Sequence, residues 1–354
     1  MVAVAICHVG RLMEGNDPQR VDALKAQAPL AESSPERLDS SSSMEGSIAS
    51  MLRHQVRNMV SHESGLLAGS NGEDLHELRV LSRRLRELFS IDGVYGQKKD
   101  TKRLRKGLQH LGQVLGAVRD LDILIESTEA YAASRSRTDL SDFIGALRSE
   151  HEVRREKAKK YIMGSDYSRL KESIELLAGR AKKSAEHYPD SGEAVVRPSS
   201  VSTILPSVLL ARYGYLRAYD GWLDSSGPLR VDRFHRLRIE AKRLRYLIEF
   251  FQDYLGPECK PLIQRIKQVQ DLLGRMQDAQ TACCLIRQYL EVGNLRGKAT
   301  SGKYEALATQ SSLIKYLAAR QSELRTCVRR FPSVWRLVSS RWFALRLANL
   351  VGRL

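Results

Sequence analysis

Leu75-His-Glu-Leu-Arg-Val-Leu-Ser-Arg-Arg-Leu-Arg86 and Phe234-His-Arg-Leu-Arg-Ile-Glu-Ala-Lys-Arg-Leu-Arg245 are two versions of one pattern, set 159 positions apart. On an α-helix at about 100° per residue, His76, Arg79, Arg83 and Arg86 fall within an arc of roughly 80°. Leu75, Leu78, Leu81, Leu85, Leu88 and Phe89 fill the adjoining face, so the helix packs with one side and carries cations along its flank. The second copy repeats this with His235, Arg238, Lys242 and Arg245 beside Phe234, Leu237, Leu244, Leu247, Ile248 and Phe251. Arg84 and Arg243 also recur, well off the stripe. A solvated helix mixes both signs, because Glu and Lys four residues apart support it; neither stripe contains an acid.

The repeat reaches beyond the stripes. Arg53 and Arg212 each precede the stripe histidine by 23 residues, so the preceding helix offers a matching second-tier cation in both halves. Downstream, Leu115-Gly116-Ala117-Val118-Arg119-Asp120 answers Leu273-Gly274-Arg275-Met276-Gln277-Asp278, and Leu104, Leu108 and Leu111 answer Leu262, Ile266 and Val269. Gly116 and Gly274 read as points of close helix approach, and Asp120 and Asp278 as groups that orient stripe arginines. The apolar period from Met44 onward is helical, and strand-like alternation is scarce. The spacing predicts an all-α fold with helices near 46–68, 73–92, 98–134, 139–163, 166–187, 202–224, 230–255, 258–292, 302–330 and 333–352. Asp74, Asp139, Ser165 and Asp232 are the expected start signals.

Each half then forms a bundle of about four helices, over 46–187 and 202–330, joined by a Pro- and Ser-containing linker at 188–201. Residues 1–44, with Ser40-Ser41-Ser42-Ser43, have the composition of a disordered leader. Residues 331–354 carry Trp335, Trp342, Phe343 and four arginines with no acid. Two readings of that tail stand: a basic amphipathic helix that touches anionic lipid, or a last helix docked on the second bundle.

Among the 354 residues, 57 Lys and Arg face 41 Asp and Glu, a net charge of +16. Such a charge points to polyphosphate, nucleic acid or anionic lipid as partner, and leaves the fold open. Five cysteines without a C-x-x-C spacing favour a reduced cytosol. No run approaches a membrane span, and Val2 to Cys7 is too short for a secretory signal. The stripe histidines have no carboxylate or cysteine at ligand spacing, and the arginines repel a cation, so neither metal nor cofactor is expected. No Walker loop, Gly-x-Ser-x-Gly or His-Glu-x-x-His occurs, and one Asp per half supplies no acid and base pair.

The doubled His-x-x-Arg-x-x-x-(Arg/Lys)-Arg-x-Arg, each followed by Leu-Gly-x-x-x-Asp, resembles the CHAD family, the conserved-histidine α-helical domain, over roughly residues 46 to 330. The resemblance implies two pseudo-symmetric four-helix bundles in one compact domain with a central basic groove or channel. It further implies non-catalytic binding of inorganic polyphosphate and a cytoplasmic location at polyphosphate granules, in company with granule proteins. Carried over residue by residue, the contacts are His76, Arg79, Arg83, Arg86, His235, Arg238, Lys242 and Arg245, with Arg53 and Arg212 behind them. Lys242 stands where the first half has an arginine, and Gln277 answers Arg119. The Glu-x-Glu-x-Lys strand of the triphosphate hydrolases often fused to this family is absent, so no hydrolase activity is expected.

Arginines at such spacing set cations ~4.5 to 6 Å apart along a helix axis, a pitch suited to a chain with about one charge per phosphoryl unit. Binding by counterion release weakens with salt, and histidine contacts make it tighten as pH falls. Two other classes remain open. A nucleic-acid binder fits the charge but lacks stacking aromatics beside the stripes; weak nonspecific binding is compatible with either. An accessory to a phosphate-processing enzyme fits the anion site equally.

Overall fold

The apolar face of both stripes is buried from end to end: Leu78, Leu85 and Leu88 in one, and Leu237, Leu244 and Ile248 in the other, expose no surface. In the computed structural model, which describes residues 43–68, 72–91, 98–135, 139–186, 200–223, 231–292 and 306–354, these faces anchor an all-α protein. The helices are α1 Met44–Ala68, α2 Gly72–Leu88, α3 Lys98–Ala133, α4 Ser141–Ile162, α5 Ser165–Glu186, α6 Val201–Arg217, α7 Asp220–Leu223, α8 Val231–Phe250, α9 Gln252–Leu255, α10 Lys260–Val292, α11 Ala306–Ser339 and α12 Arg341–Val351. The leader up to residue 42 and the linker up to residue 199 lie outside the described residues.

The stripe helices are α2 and α8, and the Leu-Gly helices are α3 and α10. In the first half α1 packs on α2 and α5, and α3 on α2 and α4. In the second, α8 packs on α6 and α10, and α10 on α11. Between the two segments α1 meets α6, α2 meets α8 and α3 meets α10, so these three helices touch the ones that match them in sequence. One continuous core runs through both halves, and a smaller one joins Leu121, Phe143 and Leu147 to Ile286, Leu313 and Tyr316 at the far ends of α3, α4, α10 and α11. Buried Thr128 donates to the Tyr316 hydroxyl at 3.1 Å there, giving both polar groups a partner.

Several local expectations change. Asp74 sits inside the first turn of α2, and its carboxylate meets His62 of α1 at 2.8 Å, so it ties helices together and caps none. Other starts keep a side-chain acceptor: the Asp139 carboxylate accepts from the Ser141 amide at 2.9 Å, as expected of a start signal, and the Ser43, Ser200 and Ser340 side chains accept from the amides of Gly46, Thr203 and Phe343. The tail does not begin a new helix at 333. Helix α11 runs through Pro332 to Ser339, because Phe331, Trp335 and Val338 on either side of the proline are buried in the core. Helix α12 then docks against α6, α10 and α11 through Phe343, Leu347 and Leu350, leaving Trp342 and Leu345 at the surface. Among the described residues no helix is long and apolar enough to cross a membrane. Between α9 and α10 the chain turns at Gly256, whose φ of 72° favours glycine, into a 3-10 turn that sets the start of α10 beside the end of α8.

Candidate anion-binding cleft

Because α2 lies on α8, the two cationic stripes face one another. A cleft of about 390 Å³ opens between them, lined by His76, Arg79 and Arg83 of α2, His235 and Arg238 of α8, and residues of α3, α10 and α11. Behind its floor the cations crowd. The charge of Lys242 is opposed by burial first and then by Arg83, Arg238, Arg79 and Arg245, and its pKa falls to about 5. Burial, with repulsion from Arg79 and Arg245, likewise pushes Arg83 down, while burial and the charge of Arg83 push down Arg238. The guanidiniums keep their charge at neutral pH; the amine gives up its proton.

Packing like charges together is unfavourable unless an anion answers them. The available carboxylates are few. Asp120 pairs with Arg79 at 3.2 Å. Asp278 lies beside Arg238, and burial raises its pKa despite the cations around it. Glu249 stands 3.7 Å from Arg245. Donors remain unused: the Nε atoms of Arg83, Arg238 and Arg245 and Nδ1 of His76 are buried without a hydrogen-bond partner among the described residues. Such groups suit an incoming acceptor with many oxygens.

The repeat glycines serve this cleft. A Cβ on Gly116 would stand 3.3 Å from Arg79 Nε, and one on Gly274 would stand 4.0 Å from Arg238 Nε. The missing side chains therefore seat the stripe guanidiniums against the Leu-Gly helices. The histidines differ: Nδ1 of exposed His235 is 2.9 Å from Gln277 Oε1, whereas the His76 pKa is lowered by burial and then by the Arg119 charge.

Arg86 lies further along α2, near Arg83, Arg105 and Arg243, and burial lowers its pKa. Arg245 stacks 4.8 Å over Tyr246. Arg53 and Arg212 do not line the cleft. The Arg53 guanidinium reaches the Ala178 carbonyl of α5 at 3.4 Å, and Arg212 donates to the Ser90 carbonyl at 2.8 Å and hydroxyl at 2.7 Å. With Arg243 3.6 Å from Glu87, Arg212 clamps the second half to the end of α2. Three arginines join the lining that the stripes do not contain: Arg119, Arg275 and Arg320. Arg119 and Arg275 lie inside the Leu-Gly segments, so the repeat carried a signal for them. Arg320, 3.0 Å from Glu323 on α11, belongs to no repeated motif. On α4 a further run of basic residues, Arg154, Arg155 and Lys159, is paired with Glu150, Glu152 and Glu156 along its own helix, the pattern of a solvated face.

The comparisons agree with this architecture. A family model described as CHAD domain matches residues 50–287. The crystal structure of the CHAD domain from the plant Ricinus communis superposes with a TM-score of 0.64 at 21% identity, covering 84% of this chain and 93% of that one. PptA from Streptomyces chartreusis superposes with a TM-score of 0.57 at 16% identity, over 83% of this chain and 100% of that one. No curated protein matches in sequence. With the family model spanning well over half of its length, from the helix before the first stripe to the Leu-Gly helix after the second, the chain belongs to the CHAD family.

Proposed function

We propose that this protein binds inorganic polyphosphate in the cleft between α2 and α8 and performs no chemistry on it. The observation that carries the reading is the convergence of Arg79, Arg83 and Arg238 on one cleft, with Lys242 and Arg245 close enough behind it to feel their charge and buried donors left unpaired. A flexible chain of phosphoryl groups can lay an oxygen against each rung, and guanidiniums hold two oxygens at once. The carboxylates in the cleft, Asp120, Asp278 and Glu323, face arginines and serve to position them. With that ligand, the same proposal puts the protein in the cytoplasm at polyphosphate granules.

Nucleic acid shares the phosphate charge but also needs faces on which bases stack. The rings of Tyr246 and Tyr316 lie under the guanidiniums of Arg245 and Arg320. The test is competition at physiological salt between long-chain polyphosphate and duplex DNA, RNA or heparin, for the wild type and Arg79→Ala/Arg238→Ala. Polyphosphate should win against all three, and the double variant should lose about 3 kcal/mol of affinity, on the order of a hundredfold. Equal competition by DNA together with an unaffected double variant would overturn the reading.

A further inference from the structure

A second basic cavity opens at the other end of α8 and α10, and the cleft does not account for it. Its volume is about 660 Å³, and its polar lining is Arg84 of α2, Glu249 of α8, Gln252 of α9 and Lys260, Gln264 and Lys267 of α10. Along α8, Glu249 lies eleven residues beyond Arg238 of the cleft, ~16 Å of helix. Arg84 is one of the two arginines that recur off the stripe, and its role was open.

The charges in this groove are unbalanced. Arg84, Lys260 and Lys267 make no ion pair among the described residues. Arg84 is held 5.1 Å over the Phe250 ring, and its Nε is buried without a partner. The groove's one carboxylate, Glu249, is already engaged by Arg245 of the stripe at 3.7 Å. The remaining polar groups, the side-chain amides of Gln252 and Gln264, have N–H groups that can donate to an oxygen. Phe250 is covered by Arg84, which leaves no ring in the lining for a base to stack on.

We propose that this groove is a second phosphate-chain subsite, which takes a segment of inorganic polyphosphate separate from the segment in the cleft. Glu249 links the two. While Arg245 neutralises it, the groove presents three net cations; a chain that draws Arg245 away returns a carboxylate to the groove. The proposal rests on polyphosphate being the ligand of the cleft.

Calorimetry of the full chain with inorganic tripolyphosphate, too short to reach both places, separates the two sites. The wild type should bind two molecules, Lys260→Gln/Lys267→Gln one, and Arg79→Ala/Arg238→Ala one. With long-chain polyphosphate, the lysine double variant should lower the slope of log affinity against log salt by about 2. Both lysines are exposed, so the variant should fold with unchanged circular dichroism. Two tripolyphosphates retained by the lysine variant would overturn the groove. So would its displacement from the groove by equimolar sulfate or by a single-stranded oligonucleotide. If the lysine variant loses one site and the arginine variant none, the groove stands as a phosphate site and the reading of the cleft fails.

Discussion

The two walls of the cleft share one frame and differ in how they hold charge. On the first, Arg79 is fixed to Asp120, Gly116 leaves its guanidinium little spare room, and Arg83 occupies the middle rung. On the second, Lys242 takes that rung without a proton at neutral pH, Gly274 leaves more space, and the Asp278 carboxyl is raised by burial. The first wall keeps its arginine rungs charged at every working pH. The second is one whose charge depends on pH and ligand. The two stripes repeat one pattern and part at the middle rung, a guanidinium on one and a titratable amine on the other.

The largest effect expected from this difference is between the middle rungs. Arg83→Met removes a guanidinium that is always charged and should weaken polyphosphate binding by about 2 kcal/mol, roughly thirtyfold. Lys242→Met removes an amine that must first take up a proton, so its loss at pH 8 should be less than about half as large in free energy. Titration of both variants at pH 8 decides this, and equal losses would erase the distinction between the walls.

The pH dependence follows from the same residue. A bound polyanion favours the charged forms of Lys242 and His76 and the neutral form of Asp278, so binding takes up protons and affinity rises from pH 8 to pH 6. Lys242→Arg, which cannot titrate there, should flatten that rise. Stability of the free protein moves the opposite way. In the unfolded chain Lys242 holds its proton up to a pKa near 10.5, and in the folded one only up to about 5. Between these values unfolding binds a proton, so stability falls as pH drops through that window. Lys242→Met should therefore raise Tm at pH 6 more than at pH 9, and a thermal melt showing the reverse would place the charge elsewhere.

The glycines give a smaller contrast. Gly116→Ala presses a methyl group on Arg79 Nε at 3.3 Å and should lower affinity by about 1 kcal/mol, roughly fivefold. Gly274→Ala makes an ordinary contact at 4.0 Å. It should leave affinity alone and, as a helix-interior replacement, add about 0.5 to 1 kcal/mol of stability. Paired titrations and melts of the two variants check both halves of the statement.

Much of this was legible in the sequence, and the unread part has a common cause. The buried faces of both stripes, the helical class and the Leu-Gly helices followed from periodicity and from the repeat. Arg53 and Arg212 repeat as faithfully, yet both turn to backbone carbonyls, because a match between halves fixes which residue stands on a helix and not which neighbour its long side chain meets. Arg320 enters the cleft from a helix that the repeat does not describe. The expected break between 330 and 333 is absent, because the core contacts of Phe331 and Trp335 carry the helix across Pro332. Gly116 and Gly274 do lie where the Leu-Gly helices approach the stripe helices, and the atoms nearest their missing Cβ are the guanidiniums of Arg79 and Arg238.

The smallest expected effect separates the histidines. The Arg119 charge, after burial, holds His76 below the usual histidine range, whereas Gln277 in the matching place on the second wall hydrogen-bonds His235. Arg119→Gln copies the second wall onto the first. It takes one cation from the cleft but relieves His76, which should then titrate closer to its ordinary pKa of about 6.5. At pH 6 the gained imidazolium offsets the lost guanidinium, and polyphosphate affinity should change by less than about threefold; at pH 8, where the imidazole stays neutral, the loss should be larger. Proton NMR titration of His76 reads the first statement and binding at the two pH values reads the second. A His76 titration unmoved by the substitution would mean that burial alone sets it, and that the two walls differ at this rung through depth and not through their neighbours.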